Sequence, residues 1–329
     1  MTEQANGSTL TPEQMAPVTG GKLIDFMRLR HIALAFTIVL TLAALISIAT
    51  RGLNMGVDFT GGTVMEVTYP DSKNPDIVRE LLKSNGYEAV VQHFGSSKEL
   101  LIRLPPPEAG DDSAEAKAAL SNKVLDILQT ETAAAKLNRV EFVGPQVGEE
   151  LREQGGLAIL LALGGILIYV ALRFEYRFAV GAIVATVHDI IVVVGFFSFT
   201  HLEFDLTVLA AVLAVIGYSL NDTIVVFDRE RENFRLLRSE TPYEVMNISI
   251  NQTLSRTLMT SFTTLIVVIA LYVFGSEVIA GFALALIIGI LIGTYSSIYV
   301  ASNLLLMMGI TKEALIPPAK DNAELDAIP

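Results

Sequence analysis

Long runs without any charged residue constrain the fold of this chain more than any other feature of its sequence. Five such runs cover residues 32–49, 155–172, 206–221, 257–276 and 278–311, and a further apolar stretch, 178–199, has His188 and Asp189 as its only ionisable residues. A helix of roughly 20 mostly apolar residues crosses the hydrocarbon core of a bilayer. The sequence therefore predicts an α-helical integral membrane protein with six transmembrane helices, at residues 31–50, 154–173, 178–199, 205–227, 256–275 and 278–308. The last run is too long for one straight span, so we expect its end to leave the membrane or to lie along the interface.

The first apolar run has a cleaved signal peptide as its alternative interpretation. Arg28, Arg30 and His31 precede the run, and Ser47-Ile48-Ala49 resembles a small-residue cleavage site. However, the uncharged core at 32–49 is longer than the roughly 7–15 residues of a signal peptide. The run is therefore predicted to be an uncleaved membrane anchor.

The distribution of lysine and arginine predicts how the spans are oriented. The short loops 200–204 and 275–278 contain neither residue type, whereas the short segments on the other side of the spans are rich in arginine. Basic residues in short loops stay in the cytoplasm. Residues 1–30 and 309–329 are thus predicted to be cytoplasmic tails, and the long segment 51–153 is predicted to lie outside.

The outer segment reads as a small domain of strands and helices. Alternating patterns in "GTVMEVTY", "EAVVQHF", "ELLIRL" and "RVEFVG" predict four strands, while "PDIVRELLKSNGY" and "SAEAKAALSNKVLDILQTETAA" predict two helices. The order β-α-β-β-α-β predicts one extracytoplasmic α+β ferredoxin-like domain between the first and second spans. Asp58, in "GVDFTGG", is expected to serve a backbone turn because glycines flank it.

The inner segment 228–255 is predicted to be a cytoplasmic amphipathic loop. Arg231 and Arg235 recur at helical spacing, which suits an interfacial helix near anionic headgroups. Thr241 and Glu244 form a capping-box pattern with proline between them, which predicts the start of a second helix. The alternative is a solvated basic loop that only sets the orientation.

Small residues recur at every fourth position of the last span, at Gly281, Ala285, Gly289, Gly293, Ser297 and Ala301. Such a stripe lets two helix backbones approach closely. The glycines Gly281, Gly289 and Gly293 are therefore expected to pack against another helix.

The ionisable residues within the spans are few, and they are the candidates for function. A charge at bilayer depth costs roughly 3 kcal/mol on insertion scales, so His188, Asp189 and Asp222 should face protein or water. A buried hydrogen-bonded pair is the alternative role for His188 and Asp189. Arg256 lies at a span boundary, so its alternative role is only to extend its side chain to the membrane interface.

Asp222, beside Asn221, is the strongest candidate because apolar residues surround it. Desolvation favours the neutral form of a carboxyl group, and a neighbouring arginine favours the ionised form. If Asp222 alternates between a dry environment and a site beside Arg256, its affinity for a proton alternates too. Proton binding would then be coupled to helix movement. The sequence does not show that the two residues meet.

Composition excludes several classes of function. There are no cysteines, so disulfides and thiolate metal sites are excluded. The net charge of −12 argues against nucleic acid as a partner. The 4 histidines are scattered and no H-E-x-x-H motif occurs, so neither a metal site nor any cofactor is expected.

Six separated motifs carry a resemblance to a known family: "GVDFTGG", "VGPQVGEEL", "ALRFEYRFAVGAIVATVHDIIVVVGFFS", "LAVIGYSLNDTIVVFDRERENFR", "INQTLSRTLMTS" and "LIIGILIGTYSSIYVAS". Over residues 22–308 the chain resembles the SecF family, the smaller subunits of bacterial SecD–SecF protein-export complexes in the resistance–nodulation–division superfamily. The resemblance implies a multi-pass protein of the bacterial inner membrane with residues 51–153 in the periplasm. It also implies that SecD is the partner subunit, that the SecYEG channel, YajC and SecA associate, and that an exported unfolded polypeptide is the cargo.

The resemblance further implies a non-enzymatic role that uses the proton-motive force after the SecA-driven step. In the family, the aspartate of the "NDT" motif and the arginine of the "SRT" motif act in proton movement, and these match Asp222 and Arg256. Asn221, His188 and Asp189 are expected to be a secondary relay or packing residues.

Three other functions remain as alternatives. They are a half-size exporter of small molecules or lipids from the same superfamily, an intramembrane hydrolase that uses His188 and Asp189, and a non-conducting scaffold of the translocase. Sodium is an alternative to the proton, because a carboxylate with the oxygens of Asn221 and Thr223 nearby suits either ion.

Overall fold

The computed structural model describes residues 23–94, 96–106, 114–132, 134–237 and 239–310. Within them, six helices are long and apolar enough to cross a membrane, which confirms the predicted number. They cover Met27–Arg51, Pro145–Arg173, Tyr176–Thr200, Leu206–Leu236, Pro242–Phe274 and Val278–Met307. Of the predicted tails 1–30 and 309–329, residues 1–22 and 311–329 lie outside the described residues.

The first span consists of a 3₁₀ turn, Met27–Leu29, and helix α1, Arg30–Arg51. The outer segment then contributes β1 (Asn54–Met55), α2 (Val57–Thr60), β2 (Gly62–Thr68), α3 (Pro75–Ser84), β3 (Val90–Phe94), β4 (Ser96–Leu104), α4 (Ala114–Glu131) and β5 (Lys136–Val143). The remaining elements are α5 (Pro145–Arg173), α6 (Tyr176–Thr200), β6 (Glu203–Phe204), α7 (Leu206–Leu236), α8 (Pro242–Phe274), α9 (Glu277–Ser296), a π-helical turn (Ser297–Ala301) and α10 (Ser302–Met307). The overlong last run is thus broken by the π turn.

The outer domain is one antiparallel sheet with two helices packed on it. The strands lie in the order β3-β4-β2-β5, and each pair of neighbours is antiparallel. Alternate residues of a strand point to the same face, so Met65 and Val67 of β2 enter the core. There they meet Val78 of α3 and Leu128 of α4, and all four are completely buried.

Small residues allow the spans to approach closely. On α6, a Cβ atom at Gly195 would lie 2.3 Å from Ala44 Cβ of α1, and the hydroxyls of Ser47 and Ser198 hydrogen-bond at 3.0 Å one turn further along. In a bilayer, close packing rather than the hydrophobic effect drives the association of helices. More than half of the apolar windows of α6 and α7 is buried, so these two helices form the centre of the bundle.

The segment 228–255, predicted to be an amphipathic loop with helical stretches, is mostly helical in the structure. Helix α7 continues to Leu236 and α8 begins at Pro242, so most of the segment is helical. The reason is that neither glycine nor proline interrupts residues 228–241, and amphipathic spacing supports a helix beyond the hydrocarbon core. The predicted capping box of Thr241 and Glu244 is confirmed at the start of α8.

The start of the second span also differs from its predicted position at 154. Helix α5 begins at Pro145, directly after β5, because proline suits the first turn of a helix. Its first turn packs on the α2 segment, where a Cβ atom at Gly148 would lie 2.8 Å from the Gly61 nitrogen. Residues 145–153, predicted to belong to the outer domain, are therefore part of the same helix as the span.

Three contacts join the outer domain to the loop between α6 and α7. Strand β1 pairs in parallel with β6, with Asn54 opposite Glu203. Asp58 accepts a hydrogen bond from the Leu206 N–H at 3.1 Å, so it caps the start of α7. Arg103 of β4 forms a largely buried ion pair with Glu203. This last contact ties the sheet directly to the connection between the two central helices.

Candidate functional site

Asp222 lies within α7 and is only 2% exposed. Among the described residues, its hydrogen-bond donor is the Ser261 hydroxyl of α8, at 3.5 Å. Ser261 also hydrogen-bonds Thr294 Oγ1 of α9 at 2.7 Å and accepts from the Tyr218 hydroxyl at 3.4 Å. The carboxyl group therefore faces a cluster of hydroxyls contributed by three spans.

Arg256 of α8 lies near Asp222 but does not form an ion pair with it. The guanidinium lies close enough to act on the carboxyl group electrostatically. Nevertheless, Arg256 is exposed, and its side chain makes no ion pair or hydrogen bond with the parts of the chain that the structure describes. The structure thus brings the two predicted residues onto adjacent helices but leaves them apart.

Two further buried hydroxyls lie on α7 and α8, the helices that carry Asp222 and Ser261. Thr223 follows Asp222 on α7, and Thr257 lies one helical turn before Ser261 on α8. Their Oγ1 atoms are buried and have no hydrogen-bond partner among the described residues. Buried polar atoms of this kind commonly hold water or an ion. Asn221, by contrast, is exposed and is not part of the cluster.

Asp189 forms the centre of a second buried network, where α6, α7 and α9 meet. Its Oδ2 atom accepts hydrogen bonds from Ser219 of α7 at 2.5 Å and from Ser296 of α9 at 2.7 Å. Its Oδ1 atom lies 2.9 Å from His188 Nδ1, and His188 Nε2 is buried without a partner among the described residues. The network links three spans through one carboxyl group.

The glycine stripe of α9 lies against α7. A Cβ atom at Gly281 would lie 3.0 Å from Val208, and one at Gly293 would lie 3.1 Å from Ser219. At Gly289 the distance to Val215 Cγ2 would be 2.1 Å. The stripe therefore sets the close spacing of the helices that carry Asp222 and Thr294.

We expect Gly289→Ala to destabilise the chain by about 1–3 kcal/mol, because overpacking forces the stiff, β-branched Val215 out of place. Thermal unfolding in detergent measures the effect. Gly217→Ala on α7 is the control, because a methyl group there meets nothing within 4 Å. Adding Val215→Ala should restore the stability of Gly289→Ala, and equal stability of the Gly289 and Gly217 variants would contradict the close contact.

The sequence prediction missed one buried carboxyl group, Glu230 of α7. Its exposed fraction is 0%, although Arg229 and Arg231 flank it in the sequence. These charged neighbours suggested that the whole stretch around Glu230 is exposed to solvent. The signal that could have found it is its spacing from Thr223 and Ser219, since residues seven and eleven apart lie within about 20° of one another around a helix. Among the described residues, no cluster of three or more histidine and acidic side chains could hold a metal ion.

Comparison with known proteins relates this arrangement to protein export. The model of the family "Protein export membrane protein SecD/SecF, C-terminal" matches residues 123–311, and the "SecD/SecF GG Motif" model matches residues 46–69. The chain is 53% identical to the protein translocase subunit SecF of Pseudomonas aeruginosa over 92% of its own length and 97% of that protein. It is 47% identical to the Escherichia coli O157:H7 SecF, over 90% of its own length and 91% of that protein.

Solved structures agree with these relatives. The chain is similar to SecDF, a translocon-associated membrane protein from Thermus thermophilus, with 41% identity and a TM-score of 0.75 over 87% of this chain. A super-membrane-facing form of SecDF gives 40% identity and a TM-score of 0.67. The chain spans only 39% of either SecDF chain. The matches over nearly its whole length show that the chain belongs to the SecF family of protein translocase subunits.

Proposed function

We propose that this chain works with a SecD partner to convert the proton-motive force into outward movement of exported polypeptides, after the SecA-driven step. The observation that carries the proposal is Asp222, a carboxyl group buried among hydroxyls at the centre of the spans, with Arg256 nearby and not ion-paired to any described residue. A buried carboxylate is stable beside a cation and costly without one. Movement of α7 relative to α8 would therefore bind and release a proton.

The need for a partner subunit is supported by the exposed apolar faces of the outer helices. Less than a fifth of the apolar windows of α1, α5 and α8 is buried within the chain. Since the chain spans 39% of a SecDF chain, SecD would supply the remainder of the machine and cover part of these faces. Lipid covers the rest. Association with SecYEG, YajC and SecA belongs to the same proposal.

The proposed topology places both termini in the cytoplasm and the outer domain in the periplasm of a bacterial inner-membrane protein. The sheet order β3-β4-β2-β5 with two helices supports a ferredoxin-like fold for that domain. The ion pair of Arg103 and Glu203 would transmit movement of the central helices to it. No enzymatic activity is assigned, and His188 and Asp189 are proposed as a secondary relay.

Release of an exported protein from vesicles tests this function. Vesicles that contain the chain with its SecD partner and the translocation channel are energised by a proton gradient, and release is measured with and without a protonophore. We expect the protonophore to remove the gradient-dependent part of release. Persistent release would overturn the proposal.

Replacement of sodium by potassium distinguishes the coupling ion. Proton coupling predicts unchanged release in potassium at the same proton gradient. Loss of release on removal of sodium would instead assign the hydroxyls around Asp222 to a sodium site, because such oxygens suit either ion.

A further inference from the structure

Glu230 is a completely buried carboxyl group that the proposed relay does not use. Its exposed fraction is 0%, and neither carboxyl oxygen forms a hydrogen bond with a described residue. The Ser302 hydroxyl at the start of α10 is a described polar side chain close enough to act on it. An ionised carboxylate in such a site loses its hydration without compensation.

The charged residues next to Glu230 on α7 make contacts elsewhere. Arg229 pairs with Glu232 at 2.5 Å. Arg231 donates to the Arg173 carbonyl oxygen at 3.3 Å, and Asp228 pairs with Arg173 at 2.9 Å. None of these groups therefore neutralises Glu230.

The helices packed around Glu230 offer no partner either. Arg177 of α6 lies 3.9 Å from Glu175 and donates to the Gly309 carbonyl oxygen at 3.2 Å. Glu244 of α8 is held in the capping box by Thr241. The π turn and α10 contain no charged residue. Among the described residues, no cation thus stabilises an ionised Glu230.

Three buried polar residues form a column along one face of α7, which the buried side chain of Val226 interrupts between Thr223 and Glu230. Ser219, Thr223 and Glu230 fall within about 40° of one another around α7, over about 16 Å of its axis. At one end of this face, Ser219 contacts Asp189, which Ser296 of α9 also contacts. At the other end, Ser302 acts on Glu230.

Several polar atoms of this column and of the Asp189 network lack partners within the described protein. They are Thr223 Oγ1, His188 Nε2 and both carboxyl oxygens of Glu230. The three side chains are at most 4% exposed. Buried water commonly satisfies polar atoms of this kind, with about three hydrogen bonds for each molecule.

We propose that Glu230 is a second proton-binding group, which holds its proton in a buried site where no described cation neutralises it. Glu230 exchanges this proton with the side of the membrane opposite the outer domain. The proposal rests on the proton-coupled function assigned above. It adds a proton-binding group that is separate from Asp222 and Arg256.

Infrared difference spectroscopy of the chain with its partner in lipid vesicles tests whether Glu230 holds a proton. The wild type should show the carbonyl band of a protonated carboxyl at neutral pH, and the band should shift in heavy water. Glu230→Gln should lose that band. The control Glu232→Gln changes an exposed, arginine-paired glutamate on the same helix and should keep it.

Gradient-dependent release gives the functional readout. We expect it to fall in Glu230→Gln and in Glu230→Leu, with assembly retained, and to stay at the wild-type value in Glu232→Gln. The leucine variant fills the site with an apolar side chain, so it folds even where a buried amide is not tolerated. An unchanged band, or unchanged release in both Glu230 variants, overturns the inference.

Asp222→Asn in the same assay separates this inference from the proposed function. Loss of gradient-dependent release in Asp222→Asn, together with normal release in the Glu230 variants, overturns only the role of Glu230. Normal release in Asp222→Asn overturns the relay itself. The infrared band then still reports whether Glu230 binds a proton.

Discussion

Replacement of Asp222 by asparagine is expected to abolish the proton-motive-force-dependent step of export while the chain still folds and assembles with its partner. Asparagine has nearly the same shape as aspartate, and its amide oxygen can still accept the hydrogen bond from Ser261. Only the ability to gain and lose a proton is removed. Each proton that crosses the membrane yields roughly 2.3 kcal/mol per 100 mV, and the variant can no longer use this energy.

The measurement compares gradient-dependent release of an exported protein from vesicles, after assembly has been verified by co-purification. Asn221→Ala is the matched control, since Asn221 lies at the same depth but is exposed and outside the hydroxyl cluster. Arg256→Met should reproduce the loss, because the movable cation is then missing. If Asp222→Asn assembles and keeps its dependence on the gradient, the buried carboxyl group is structural.

The second large effect is expected at the junction of the outer domain and the bundle. Arg103→Met should destabilise this contact by about 3 kcal/mol at neutral pH, because it leaves one member of a buried ion pair without its partner. The side chains of Arg103 and Glu203 are 10% and 16% exposed. Asp58 and Asp205, which also act on Glu203, then repel it without opposition.

The effect of Arg103→Met should depend on pH. Burial raises the pKa of Glu203 above its ordinary value of 4.5 even beside Arg103, whose charge and hydrogen bond lower it. The folded protein therefore binds this proton more tightly than the unfolded chain does, so stability falls as the pH rises from 4.5 through the raised pKa. In Arg103→Met the pKa of Glu203 should rise further, because the charge and hydrogen bond that lower it are gone. The cost of the substitution should thus be greatest at neutral pH and fade towards pH 4.5.

Urea unfolding of the chain in detergent, followed by proteolysis of the outer domain, measures this cost at each pH. Arg139→Met is the control, because Arg139 and Glu141 form an exposed pair within strand β5 of the same sheet, and exposed pairs contribute at most about 1 kcal/mol. Equal stability of the two variants at neutral pH would show that the Glu203 contact does not hold the domain in place.

Features that depend on residues close together in the chain were predictable. Run length and apolarity alone indicated six spans, and alternation indicated the four strands of the outer sheet. The capping box at Thr241 and Glu244 is a local exchange of hydrogen bonds. The stripe through Gly289 needed only the regular geometry of one helix. Asp222 was identifiable because a carboxyl group inside an apolar run is costly to insert into a bilayer and is therefore typical of a functional site.

Features that depend on what lies opposite a side chain were not predictable. Glu230 and Glu232 stand two positions apart in the same charged stretch, yet one is completely buried and the other is exposed and pairs with Arg229. Arg256 looked like the partner of Asp222, but the packing of α8 leaves it exposed. The length of α7 beyond residue 227 likewise depends on the helices that cover it.

The amino-acid sequence by itself thus determined the spans, the strands, the close-packing stripe and the presence of a carboxyl group within the membrane. Each of these follows from the periodicity and polarity of neighbouring residues. The tertiary structure alone decided that Asp222 faces hydroxyls from three spans, that Arg256 stands apart from it, and that Glu230 is buried with no hydrogen-bond partner among the described residues. Burial and pairing depend on contacts between helices distant in the chain, because the surroundings of a side chain are set by the elements that pack across from it.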